Sequence, residues 1–194
     1  MTIAERAAAY NNSTHGQKYP DSRLSCHTGR FASGTWCMGN NYRGSGYYGS
    51  YPPAYVPRMM ALFPDAHRVL HVFSGSLAPG AYVRCDVRRD QRPDACCDVQ
   101  HLPFAGVFDL ILADPPYSAE DLKRYGTKMP NRKKALAECG RALRPGGHVI
   151  WLDTAWPMFR KIELNVVGFI NIIRSTNHRY RTAAIFTTAD RGEA

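Results

Sequence analysis

The segment that decides the fold is Val107-Phe-Asp-Leu-Ile-Leu-Ala-Asp-Pro-Pro-Tyr117. Its first part, residues 107–113, is an apolar run with the length and composition of a buried strand. Two consecutive prolines follow Asp114, and because proline cannot donate to a sheet ladder, the strand must end at this aspartate. A carboxylate and an aromatic ring are therefore expected at the carboxyl end of a central strand, where open α/β sheets bind their ligands.

Bulk properties narrow the class of protein. The 194 residues suit one domain with its own core. Without an apolar run that could span a bilayer, and without a basic and apolar leader at Met1, we expect a cytoplasmic protein with no membrane partner. Six cysteines without a regular framework argue against a secreted disulfide scaffold. The net charge of +9 favours nucleic acid as a partner, a basic surface kept for solubility being the other explanation.

The first 50 residues differ in composition from the rest. The alanine-rich piece Ala4–Tyr10 predicts one or two helical turns, and Asn, Ser, Gly and Tyr dominate from Asn11 to Ser50. We therefore predict a loop-rich N-terminal arm over 1–50, followed by a domain over 51–194. The aromatic and arginine side chains of the arm could stack on bases and neutralise phosphates, or pack against the domain. We expect no metal, because the three candidate zinc ligands of the arm lack the close paired spacing of structural sites: Cys26, His27 and Cys37.

Hydrophobic patterning places further elements along the chain. It predicts a helix over 52–63, a strand over 69–73 and a second strand over 81–85. A parallel crossover usually needs a dozen or more residues and a helix, so the short connection between these strands predicts that the usual helix is missing. A capped amphipathic helix follows Asn131, and later patterns predict a strand over 148–152, a helix over 154–164 and a hairpin of strands over 166–173 and 180–187.

The tetrapeptide Asp114-Pro-Pro-Tyr117 resembles the signature of amino-methyltransferases, which methylate exocyclic amino groups with S-adenosylmethionine. The Tyr51-Pro-Pro segment and the loop Phe73-Ser-Gly-Ser-Leu77 resemble the cofactor region of that family, although Leu77 stands where the family usually has its last glycine. The turn Leu143-Arg-Pro-Gly-Gly147 is a further likeness. The resemblance implies an α/β, Rossmann-like class I methyltransferase fold with a mostly parallel twisted sheet. The strand patterns and composition described above add a terminal antiparallel hairpin and an irregular N-terminal arm.

The same resemblance implies S-adenosylmethionine as the cofactor. Asp86 ends the second strand, where an acidic residue can accept hydrogen bonds from ribose hydroxyls. Asp98 begins an Asp-x-x-x-Leu-Pro-Phe pattern resembling the segment whose acid meets the adenine amino group, the alternative being a turn cap. The full set of expected cofactor-binding residues is Tyr51, Pro52, Phe73, Ser74, Gly75, Ser76, Asp86 and Asp98.

Catalysis is assigned to the tetrapeptide. An aromatic amine is a poor nucleophile, and two acceptors aimed at its hydrogens, the Asp114 carboxylate and the Pro115 carbonyl, would free its lone pair. Pro116 would stiffen the turn and Tyr117 would stack on the target base, which must be flipped out of a duplex. Methylation at a pyrimidine carbon is disfavoured because no Pro-Cys pair occurs in the chain.

The expected reaction is methylation of adenine N6 in DNA, with the amino group of cytosine in DNA or of an RNA base as alternatives. A non-catalytic binding module on a degenerate methyltransferase fold is the remaining hypothesis. Because no large recognition region is present, recognition falls to the arm, to the loop 118–131, to the hairpin tip, to a second copy in a homodimer or to a separate subunit. The expected nucleic-acid contacts of the tip are Arg174, Asn177, His178, Arg179 and Arg181.

Overall fold

The computed structural model describes residues 1–39, 51–174 and 180–189, with the backbone alone at Arg174. The strands in this part of the chain are β1 (Ser25–His27), β2 (Phe31–Met38), β3 (Val69–Val72), β4 (Val83–Asp86), β5 (Ala95–Cys96), β6 (Phe108–Ala113), β7 (Leu143–Asp153), β8 (Leu164–Arg174) and β9 (Tyr180–Thr188). The helices are α1 (Ile3–Asn12), α2 (Thr14–Lys18), α3 (Tyr55–Leu62), α4 (Ala119–Tyr125) and α5 (Arg132–Ala142). None of these helices is long and apolar enough to cross a membrane.

All the described strands belong to one sheet, in the order β1-β2-β8-β9-β7-β6-β3-β4-β5. Neighbours from β5 to β7 run parallel, whereas β9 lies antiparallel between β7 and β8. The predicted mostly parallel α/β sheet with a terminal antiparallel hairpin is confirmed.

Strand β6 lies in the interior of this sheet, and every one of its residues is buried. It pairs with β3 on one side and with β7 on the other. Its last residue, Ala113, lies opposite both Val72 and Trp151. The carboxyl ends of the three strands therefore meet at one edge, and the residues that follow each strand are brought together there.

The prediction that the usual crossover helix is missing between β3 and β4 is confirmed. No helix occurs between β3 and β4, over residues 73–82. Helix α3 supplies apolar cover on this side, and Leu77 and Tyr82 pack against the core cluster that contains Tyr55 and Met59. The Tyr82 ring also meets the buried His71 ring edge-on, with centroids 4.6 Å apart. Leu77 and Tyr82 thus cover part of the apolar core surface that a crossover helix would cover.

The helical turns predicted over Ala4–Tyr10 are confirmed as part of α1. The prediction of a loop-rich arm is wrong for residues 11–39, while residues 40–50 lie outside the described part. Helix α1 and strands β1 and β2 occupy this region, and β2 pairs in parallel with β8. Trp36 is fully buried and stacks on Tyr10 at 5.0 Å, and the Arg58 guanidinium lies 4.0 Å from the Trp36 ring centroid. The strand pattern was hidden because the residues of β2 between the buried ones are mostly small and polar.

The predicted helix over 154–164 is also wrong. The chain is irregular from Thr154 until β8 begins at Leu164. The Asp153 carboxylate accepts a hydrogen bond from the Thr154 backbone N–H at 2.7 Å, and Trp156 stacks on Phe169 with centroids 4.0 Å apart. Pro157 has no backbone N–H and cannot donate the hydrogen bond that a helix interior requires. The contacts of Asp153 and Trp156 therefore determine the backbone path of this segment.

Trp36→Ala tests whether the arm is part of the core. Truncating a fully buried tryptophan typically costs about 3–5 kcal/mol of unfolding free energy. We expect a loss of this size in urea denaturation. Thr35→Ala is the matched control, because Thr35 is the exposed neighbour of Trp36 on the same strand. Equal stability of the two variants would show that the arm does not contribute to the core.

Candidate active site

The turn that follows β6 is fixed by a second carboxylate. Asp121, in the first turn of α4, accepts hydrogen bonds from the backbone N–H groups of Tyr117 and Ser118, both at 3.0 Å. Ser118 caps the same helix by accepting from the Asp121 N–H. The Ser-x-x-Asp spacing of this capping box is visible in the sequence. The position of Tyr117 is therefore tied to the start of α4.

Arg181 of β9 reaches the predicted catalytic residues. Its guanidinium lies 3.8 Å from Asp114 Oδ1 and donates a hydrogen bond to the Tyr117 hydroxyl at 2.8 Å. Arg181 is only 6% exposed, and the Asp114 side chain only 7%. The expectation that Arg181 belongs to an exposed hairpin tip is therefore wrong, because its side chain is buried in the sheet. The Arg174 side chain and residues Asn177, His178 and Arg179 lie outside the described residues.

Arg132 holds the turn from the other side. Its Nε donates to Asp153 Oδ2 at 2.7 Å, and its terminal NH2 donates to the Pro116 carbonyl at 3.3 Å. The Asp153 side chain, 1% exposed, also accepts from Trp151 Nε1 at 3.2 Å. Sequence reasoning missed Arg132 and Asp153, because their contact joins the start of α5 to the end of β7 and leaves no local motif.

Two buried tyrosines lie close to Asp114. Burial raises the pKa of Tyr51 and Tyr55, and the negative charge of Asp114 raises it further. The Tyr51 hydroxyl lies 3.3 Å from His71 Nδ1, and burial lowers the pKa of His71 to about 4. These three side chains are thus neutral near pH 7. They are buried together without charge, and the predicted cofactor residue Pro52, next to Tyr51 in the sequence, is also buried.

The loop after β3 is folded around Asp86. The Gly75 N–H donates to Asp86 Oδ2 at 2.8 Å, and the Arg88 N–H donates to Oδ1 at 2.9 Å. Phe73 and Gly75 both have positive φ, which turns the backbone sharply at this point. Each carboxylate oxygen has two acceptor positions, so Asp86 retains acceptor capacity for a ligand. The structure brings Asp86 and this loop together.

Ser74 and Ser76 differ in their surroundings. Ser74 is buried, and its Oγ has no hydrogen-bond partner among the described residues, whereas Ser76 is exposed. A buried hydroxyl without a partner carries a desolvation cost that a polar ligand can remove. The set of residues around this loop therefore fits a polar ligand.

Asp98 acts as a cap. Its Oδ1 accepts from the Gln100 backbone N–H at 2.9 Å at the start of the short 3-10 helix Val99–His101. The backbone N–H of the preceding residue, Cys97, donates to the Asp86 carbonyl at 3.1 Å. Asp98 thus follows β5 beside the end of β4, and the turn-cap alternative describes its observed contacts.

The candidate zinc ligands are not brought together. Within residues 1–39, 51–173 and 180–189, no group of three or more His, Cys, Asp or Glu side chains could hold a metal ion. His27 Nε2 lies 2.7 Å from the Ser33 hydroxyl, and Cys37 is exposed.

No protein-family model matches the sequence, and no curated protein does. Among solved structures the chain is similar to TrmN from Thermus thermophilus, with 20% identity and a TM-score of 0.51 over 72% of this chain and 50% of that chain. It also matches the N-methyltransferase NodS from Bradyrhizobium japonicum, with 16% identity and a TM-score of 0.44 over 64% and 87% of the two chains. This chain spans half the length of TrmN. The likeness to TrmN shows the fold alone, a Rossmann-like α/β fold.

Arg132→Met tests the contact that holds the turn. The variant leaves the buried Asp153 carboxylate and the Pro116 carbonyl without this donor, and hydrogen bonds to charged groups contribute about 1.5–3 kcal/mol. We expect a loss of about 2 kcal/mol of unfolding free energy in urea denaturation.

Arg160→Met is the matched control, because Arg160 pairs with Glu163 at 3.1 Å on the surface. Exposed pairs contribute about 0–1 kcal/mol, so this variant should be close to the wild type. If Arg132→Met is as stable as Arg160→Met, Arg132 does not hold the turn.

Proposed function

We propose that this chain transfers a methyl group from S-adenosylmethionine to an exocyclic amino group of a nucleobase, with adenine N6 in DNA as the leading substrate. The observation that carries the proposal is the position of Asp114-Pro-Pro-Tyr117. The register between β3 and β6 pairs Ala113 with Val72, so Asp114 follows its strand beside the loop that begins at Phe73. An acceptor pair for an amine thus lies next to a loop suited to a polar ligand.

The residues of the proposed cofactor site fit S-adenosylmethionine. Asp86 keeps acceptor capacity for ribose hydroxyls, and the buried Ser74 hydroxyl is suited to a polar group. Gly75 allows close approach of the backbone, because it carries no side chain. When bound, this cofactor would supply a reactive methyl sulfonium. Tyr51, Pro52, Phe73, Ser76 and Asp98 complete the proposed site.

The chain's own residues would prepare the amine. The Asp114 carboxylate and the Pro115 carbonyl accept hydrogen bonds from the two amine hydrogens, so the nitrogen lone pair is less delocalised into the ring. Pro116 keeps the turn rigid. Alignment of the amine with the methyl donor supplies most of the acceleration, and the excess proton leaves after transfer, so no separate strong base is required.

Tyr117 would bind the flipped base. Its side chain is partly exposed, while its hydroxyl is held by Arg181. Stacking of a base on an aromatic ring contributes about 1–3 kcal/mol and does not depend strongly on the base. Tyr117 would therefore position a base without selecting adenine over cytosine.

A nucleic-acid substrate agrees with the net charge of +9. We propose that the tip residues Arg174, Asn177, His178 and Arg179, together with the loop 118–131, approach the nucleic acid. The described strands on either side of the tip support this proposal, because β8 ends and β9 begins at the edge of the sheet that carries Asp114. A second copy of the chain or a recognition subunit would supply further contacts.

The test is transfer of a labelled methyl group to DNA and to RNA, followed by digestion and identification of the modified nucleoside. The proposal predicts N6-methyladenosine in its deoxy form. A methylated amino group of deoxycytidine or of a ribonucleoside would retain the amino-methyltransferase chemistry and replace the leading substrate.

Asp86→Ala is the cofactor control in the same assay. We expect weaker binding of S-adenosylmethionine in calorimetry and a correspondingly lower rate at limiting cofactor. No methylated nucleoside from any substrate, with no binding of S-adenosylmethionine by the wild type at millimolar concentration, would favour the non-catalytic binding module.

A further inference from the structure

Arg181 is a buried cation on β9, which lies between two other strands of the sheet. It lies on β9, opposite Ile172 of β8, and the next residue, Thr182, lies opposite Asp153 of β7. Pairing with β7 and β8 holds the backbone of Arg181, so its guanidinium reaches the turn after β6 from a rigid strand. Only 6% of the residue is exposed.

A buried guanidinium is costly unless an opposite charge and hydrogen-bond acceptors compensate it. Asp114 supplies the charge, with 3.8 Å between the guanidinium and Oδ1. Because both side chains are almost fully buried, the attraction between them is weakly screened by solvent. Each charge thus stabilises the charged form of the other group at this buried position.

The same guanidinium fixes Tyr117. Its NH1 donates to the hydroxyl at 2.8 Å, and its Cζ lies 5.2 Å from the centroid of the ring. Since the hydroxyl oxygen accepts this hydrogen bond, its own proton is left to point elsewhere. One rigid, planar group therefore sets the position of the carboxylate and of the ring together.

We infer that Arg181 is a positioning residue for Asp114 and Tyr117, and does not bind the nucleic-acid backbone. The inference rests on the proposed function for its effect on rate. The alternative role is a phosphate contact, which would need the guanidinium to be accessible. The 6% exposure and the two internal partners argue against that role.

Arg181→Met tests the two roles, with single-turnover methyl transfer and with nucleic-acid binding at several salt concentrations. A displacement of about 1 Å in reacting groups can lower a rate about 100-fold, so we expect a loss of about 10- to 100-fold. The salt dependence of binding should not change. Loss of a phosphate contact would instead lower the slope of log K against log salt by about one, and that result would overturn the inference.

Two further variants sharpen the kinetic test. Arg181→Lys should give an intermediate rate, because the ammonium keeps the charge beside Asp114 and loses the planar guanidinium that lies against the Tyr117 ring. Arg144→Met is the matched control, since Arg144 pairs with Asp109 on β6, near the opposite end of the strand from Asp114. Arg144→Met should leave the rate unchanged, and a loss equal to that of Arg181→Met would overturn the inference.

A double-mutant cycle gives a readout that does not require activity. Arg181→Met should lower the melting temperature because the buried Asp114 carboxylate loses the cation that lies 3.8 Å from its Oδ1. Adding Asp114→Asn, which removes that charge, should recover part of the loss. Strict additivity of the two single variants would contradict the pairing, whereas absence of methyl transfer by the wild type would contradict only the proposed function.

Discussion

The site depends on one covalent constraint, the two proline rings that follow Asp114. They remove two backbone donors at the carboxyl end of β6, so the fully buried central strand cannot continue. The chain must leave the sheet at Asp114, beside the ends of β3 and β7. Residues distant in sequence then fix the exit, with Asp121 on the backbone of the turn, Arg132 on its carbonyl and Arg181 on its side chains.

The N-terminal residues contribute to the same core as the site-bearing strands. Tyr10 of α1, Trp36 of β2 and Arg58 of α3 form a buried stack of two rings and a guanidinium where these three elements meet. Of the two roles considered for the arm, packing against the domain describes these side chains. Helix α3 connects this stack to the loop after β3, because it carries Tyr55 and Met59 into the cluster that includes Leu77. A short chain therefore covers one face of its sheet without the usual crossover helix.

The sequence patterns correctly predicted the elements that depend on neighbouring residues in the chain. The apolar run of β6, the prolines after it and the capped helix after Asn131 were predictable because each depends on neighbours in sequence. The role of Arg181 was not, since a hairpin pattern does not show where the basic tip ends and the buried strand begins. Strand β2 was missed because it is stabilised by pairing with β8, more than 100 residues later in the sequence. The irregular 154–163 segment likewise follows from tertiary contacts of Trp156 and Asp153.

The most direct measurement is the single-turnover rate of methyl transfer by Asp114→Ala, with the affinity for S-adenosylmethionine measured in parallel. If the Asp114 carboxylate localises the lone pair of the amine, the rate should fall by about 100- to 1,000-fold, as on loss of a comparable preorganised hydrogen bond. Cofactor affinity should change far less, because the contacts assigned to the cofactor come from the loop around Asp86. A folded Asp114→Ala protein that methylates at the wild-type rate would contradict the assignment of Asp114 to catalysis.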